Sequence, residues 1–149
     1  MKKLLSWIGV LIASLGIIVL GTAIYIRHCE WNPQQAAEHV TQNAEKRSVG
    51  LCAKYVREAI IAGGIPQYCK CDAWRYKQIL PILNFKEIDK DEELEAGDIV
   101  VFQPIGNRKF GHIAMWNGKQ WVSDFKQRNI IVHSDYTDKD CEYSMFRRR

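Results

Sequence analysis

From Leu4 to Ile26 the chain runs for 23 residues, LLSWIGVLIASLGIIVLGTAIYI, without a single charge. At a rise of about 1.5 Å per residue, such a run makes a helix of roughly 34 Å, enough to cross the hydrocarbon of a bilayer. Lys2 and Lys3 precede the run and Arg27 with His28 follows it, a bias that keeps the short end in the cytoplasm. The expectation is a cytoplasmic stub and transmembrane signal-anchor over 1–28. The rest of the chain, 29–149, would be one folded domain in the periplasm or at the cell exterior. A cleavable secretory signal is the competing reading, since Gly21-Thr22-Ala23 offers small residues for cleavage and would release the domain. The run is longer than an ordinary signal core, which favours the anchor.

Three of the 21 basic residues and none of the 17 acidic ones fall before residue 29, so the remainder is close to neutral. A nucleic-acid partner needs a concentrated basic face, and none is predicted. The run Arg147-Arg148-Arg149 reads as a frayed, solvated terminus. Five cysteines in an exported domain can pair, with one left over. Cys69 and Cys71 are too close to join each other comfortably, so each is expected to reach Cys29 or Cys141. Cys-x-Cys lacks the spacing of a zinc site, and neither a metal nor a cofactor is predicted.

Asn32-Pro33 is a helix start, a capping side chain followed by proline at the first helical position. Ala36, Ala37, Val40 and Ala44 form its narrow apolar stripe, and the pattern extends to Arg47. Ser48 is placed as the cap of a second helix to about Ile61, ended by Gly63-Gly64 and Pro66. A third helix is expected from Ala73 to Leu83. The period then changes from helical to alternating. Strands are expected over Ile99–Phe102, Gly111–Trp116 and Gln120–Phe125, with Ile130–Val132 and Tyr143–Phe146 as further candidates. Helices followed by an antiparallel sheet make an α+β domain.

Cys52 falls in the first turn of the second helix, where free N–H groups and the helix dipole favour thiolate. A small buried hydrophobe is the bland alternative for a free cysteine. His112 opens a strand after Gly111. With a three-residue loop over Asn117–Lys119, Trp116 pairs with Gln120 and His112 faces Asp124. An imidazole beside a carboxylate is how a general base is oriented and its cation stabilised. A two-residue loop would set Asp124 opposite Gly111 instead, and a solvated strand end is then its simplest reading.

Four stretches carry a family resemblance. Ser48-Val49-Gly50-Leu51-Cys52-Ala53-Lys54-Tyr55-Val56-Arg57, followed by Gly63-Gly64, resembles the nucleophile helix of CHAP-type and NlpC/P60-like cysteine peptidoglycan hydrolases. Glu95–Phe102 is similar to a strand those proteins share, and Gly111–Trp116 to their histidine strand. Trp121–Gln127 resembles the next strand in a subgroup of bacterial and phage cell-wall amidases. The resemblance implies a papain-like domain, with N-terminal helices packed on an antiparallel sheet and here preceded by a transmembrane helix. It implies hydrolysis of an amide in cell-wall peptides, with Cys52 as nucleophile, His112 as base and Asp124 as third member. The partners it implies are a peptidoglycan peptide as substrate and the bacterial membrane through residues 4–26, with an inhibitor or secretion partner left unnamed. Three rival readings stay open: an acyltransferase on this fold, a membrane-tethered binding or assembly protein on a degenerate hydrolase fold, and an oxidoreductase working through Cys69-Lys70-Cys71.

Overall fold

Asn32 caps the first helix as its sequence predicts: the Gln35 N–H donates to Asn32 Oδ1 over 2.9 Å, and Pro33 takes the first helical position. The computed structural model describes residues 15–22, 24–26, 28–67, 69–132, 136 and 142–149. Its helices are α1 (Pro33–Asn43), α2 (Cys52–Ala62) and α3 (Tyr76–Ile82), the last entered through a one-turn 3-10 helix, Ala73–Arg75. The strands are β1 (Lys86–Ile88), β2 (Ile99–Phe102), β3 (His112–Trp116), β4 (Trp121–Val122) and β5 (Tyr143–Arg147). They form one antiparallel sheet in the order β1-β5-β2-β3-β4.

Strand alternation sorts the apolar residues into two layers. Ile99, Val101, Ile113, Met115 and Phe146 point to the helices, where they meet Ala36, Val40, Val56, Ala59 and Ile60. Val100, Phe102, Ala114 and Met145 form a smaller layer on the other face, with Trp121 and Tyr136. β2, buried at all four positions, is the centre of the sheet and explains its unbroken apolar run. The last strand, β5, lies between β1 and β2.

Several expectations are corrected. Among the described residues no helix is long and apolar enough to cross a membrane. Residues 4–14 and 23 of the uncharged run lie outside the described residues. The predicted transmembrane anchor over residues 4–26 and the contact with the bacterial membrane are therefore not supported. A domain held in the periplasm or at the cell exterior, or secreted after cleavage, rested on that segment and falls with it.

α1 ends at Asn43 rather than near Arg47, because the Glu45 N–H leaves the helix to donate to Asp124 O over 2.8 Å. No strand forms over residues 130–132. The basic terminus is not frayed. Arg147 sits in β5 and is 6% exposed, its guanidinium forked onto Asp98 at 2.8 and 2.7 Å and bonded to Glu92 and Glu95. Arg148 is also buried, donating to the carbonyl oxygens of Leu83, Ile26 and Cys29. Cys69 and Cys71 join each other, whereas Cys29 is a free thiol. Cys141 lies outside the described residues.

Candidate active site

Cys52 occupies the first position of α2, and the segment before it is built from across the molecule. No side chain at the adjacent Leu51 caps the helix, and Ser48 does not cap it either. Asp124, 76 residues further on, does that work instead: its Oδ2 accepts from the Val49 N–H at 2.7 Å, the Leu51 N–H at 3.2 Å and the Ser48 hydroxyl at 3.1 Å. A carboxylate facing the N–H groups ahead of a helix answers their unmet donors and the dipole together. Gly50, at φ +75°, allows the tight path between those donors.

His112 is aimed by a second glycine. Gly111 has φ +64°, and a Cβ there would stand 2.4 Å from the Phe102 carbonyl oxygen. Only glycine fits that approach. It delivers His112 to the first position of β3, opposite Phe102, where the ring is 7% exposed. The N–H of the next residue, Ile113, lies close enough to the Cys52 thiol to favour its thiolate, so the histidine strand and the cysteine helix meet. Cys52, His112 and Asp124 line one cavity of about 210 Å³, with Arg108, Lys109 and Phe110 on its rim.

The turn between β3 and β4 is longer than expected. Asn117 Oδ1 accepts from the N–H groups of Lys119 and Gln120, making a four-residue loop, and Trp116 pairs with Trp121. That register does not set Asp124 opposite His112. β4 also stops at Val122, after which the chain doubles back: the Gln127 N–H bonds to Trp121 O at 2.9 Å, and Lys126 bridges Val122. The reversal turns Asp124 toward the α2 loop and brings Gln127 beneath His112. The Gln127 amide nitrogen lies 2.7 Å from His112 Nε2 and 3.0 Å from Ser123 Oγ, and the Ser123 hydroxyl is 3.0 Å from Asp124 Oδ1. Asp124 is thus joined to the imidazole through Ser123 and Gln127. Gln127 was not singled out from the sequence: a glutamine two residues past an expected strand end carries no chemical signal, and only the chain reversal places it.

Burial pushes the Cys52 thiol up from its ordinary range. The N–H groups of Ile113, Ala53 and Cys52 itself pull it down, while the Asp124 charge adds to the rise, and the net direction is upward. The expectation of a thiolate favoured by the helix start is therefore reversed by desolvation. For Asp124, burial raises the carboxyl, but the Val49 and Leu51 N–H groups and the Ser123 and Ser48 hydroxyls outweigh it and hold the group below the usual range. The resting cavity then holds a neutral thiol, a buried imidazole and a fixed carboxylate. Chemically, this suits a base that takes the thiol proton as the sulfur attacks.

No protein-family model matches the chain, and no curated protein does. Among solved structures, a chain of the native type VI effector–immunity complex Tae3–Tai3 from Ralstonia pickettii superposes with a TM-score of 0.74 at 33% identity, covering 80% of this chain and 100% of the other. The selenomethionine form of the same complex gives a TM-score of 0.70 at 34% identity over 75% of this chain and 98% of that one.

Proposed function

The chain belongs to the family of the type VI effector Tae3, and from that premise we propose that it is a peptidoglycan hydrolase cleaving an amide in cell-wall peptides. What supports the reading is the shared cavity: a cysteine at a helix start and a histidine at a strand start line the same recess.

In this reading His112 takes the Cys52 proton as the sulfur attacks the amide carbonyl, forming a tetrahedral intermediate. The Cys52 N–H, at the free end of α2, donates to its oxyanion. The imidazolium then protonates the leaving amine, and the acyl group stays on sulfur as a thioester. Water, deprotonated by His112, releases the acid. For Nδ1 to act as the base, Nε2 carries the other proton and donates it to a carbonyl oxygen of Gln127. That orientation needs the Gln127 amide turned by 180° about its last bond. Gln127 Oε1, which has no hydrogen-bond partner among the described residues, then gains one. Gln127 is the positioning residue for the ring. Asp124 holds the Ser48–Leu51 segment through its Oδ2.

The relatives are effector–immunity complexes, and the reading extends to a dedicated immunity protein as a partner of this chain. The function is tested by incubating purified peptidoglycan with the protein and with Cys52→Ala, then identifying the products by mass spectrometry. New amine and acid termini from the wild type, absent with Cys52→Ala at unchanged circular dichroism, are expected. Undiminished digestion by Cys52→Ala removes Cys52 from the mechanism, and transfer products in place of hydrolysis identify an acyltransferase.

A further inference from the structure

Beside the catalytic cavity lies a second recess of about 460 Å³. The two share Ser48, and Gln127, which contacts His112, lies in the wall of the second. Its walls are two short segments held side by side. Glu45 bridges Phe125 in parallel and its N–H bonds to Asp124 O, so Lys46-Arg47 and Lys126-Gln127-Arg128 leave that bridge together. Lys46, Arg47, Lys126 and Arg128 are all exposed, and no acidic residue lines the recess. None of the four makes a salt bridge among the described residues.

Four like charges around one recess repel one another, and folding alone gives no reason to gather them. Among the described residues the largest cluster of acids lies at the far edge of the sheet, and Glu45, next to Lys46, accepts from the Tyr55 hydroxyl. Residues 87–98 hold seven acidic groups and one lysine beside β1, while the cations sit beyond β4, the opposite edge. On the other side of Cys52, Arg108 and Lys109 stand on the cavity rim. Asp124, the acid among the described residues lining that cavity, has its carboxylate engaged by the Ser48, Val49, Leu51 and Ser123 donors.

We propose that Lys46, Arg47, Lys126 and Arg128 form a carboxylate-binding subsite that continues from the catalytic cavity and selects peptides with free carboxylates near the scissile amide. This rests on the hydrolase reading and specifies its substrate as an anionic peptide. Continuity with the cavity favours the substrate as occupant over a separate acidic protein. The opposed charges at the two sheet edges also orient an approaching anion.

The experiment pairs two peptide muropeptides, identical except that one has its free carboxylates amidated. Lys126→Gln/Arg128→Gln is compared with Lys70→Gln/Lys119→Gln, which removes the same charge from exposed positions elsewhere. The groove variant is expected to raise KM for the free-acid peptide about tenfold with kcat within twofold, and to flatten the dependence of KM on salt. The amidated peptide is expected to show no such difference, and the control variant none with either. Equal KM values for groove variant and wild type overturn the subsite. So does a loss that is the same for both peptides, or a groove variant that fails only to bind an acidic protein partner. Binding of the free-acid peptide to Cys52→Ala, with and without the groove substitutions, separates the two claims. A lost affinity there supports the subsite even if Cys52→Ala proves still able to cleave, which would sink the hydrolase chemistry alone.

Discussion

The side-chain amide of Gln127 lies 2.7 Å from His112 Nε2, and the main chain reaches that point only because it reverses after Val122. A ring fixed at Nε2 presents Nδ1 in one direction, so the contact controls alignment more than binding. Gln127→Ala is expected to lower kcat by about 10–100-fold with little change in KM. Gln127→Glu places a carboxylate on the ring and favours the imidazolium, so the acid limb of the pH–activity profile moves to higher pH. A purely structural role would leave that limb in place, and steady-state rates from pH 5 to 9 distinguish the two.

Asp124 gives a stability prediction with a defined sign. Its folded carboxyl is held below the ordinary range, so the stabilisation is complete above the unfolded value near 3.9 and is lost as the pH falls through the lower folded one. Asp124→Ala strands the Val49 and Leu51 N–H groups and is expected to cost about 2–4 kcal/mol at pH 7. Urea melts should show this gap closing only below about pH 4. Because the Asp124 charge also raises the Cys52 thiol, Asp124→Asn should shift the pH midpoint of iodoacetamide labelling at Cys52 downward.

The parts legible in the sequence are those set by local pattern. Asn32-Pro33 caps its helix, Ile99–Phe102 is a buried strand, and Cys52 and His112 sit at the element starts their neighbours predict. What the pattern missed depends on contacts distant in sequence. Ser48 looks like a cap until Asp124 arrives to take the N–H groups around it. The β3–β4 register turned on one loop residue, decided by the Asn117 side chain bonding two N–H groups. The 23-residue uncharged run reads as a bilayer span by hydropathy alone, whereas among the described residues no helix is long and apolar enough to cross one.

Gly111 couples fold to site. A methyl group added there would press on the Phe102 carbonyl at 2.4 Å and on Trp74 at 3.0 Å, with φ +64° already unfavourable for alanine. Gly111→Ala is expected to destabilise the domain by about 1–3 kcal/mol. It should also lower kcat more than the unfolded fraction accounts for, because relief of the clash moves His112. Activity per folded molecule, normalised by circular dichroism at each temperature, checks this.

Arg147 tests whether the basic terminus is structure or surface. Its guanidinium is nearly enclosed, forked onto the fully buried Asp98 and bonded to Glu92, Glu95 and the Glu93 carbonyl. Glu92 and Glu95 are partly exposed and contribute modestly, as solvated pairs do. Asp98 is different, since without Arg147 it is a buried carboxylate lacking its counter-charge. Arg147→Met is therefore expected to cost about 3–5 kcal/mol in urea unfolding, far beyond an exposed Arg149→Met. Asp98→Asn with Arg147→Met removes both charges, so the pair should lose clearly less than the sum of the single losses. Additive losses would mean that packing of the arginine stem, rather than the ion pair, secures β5 between β1 and β2.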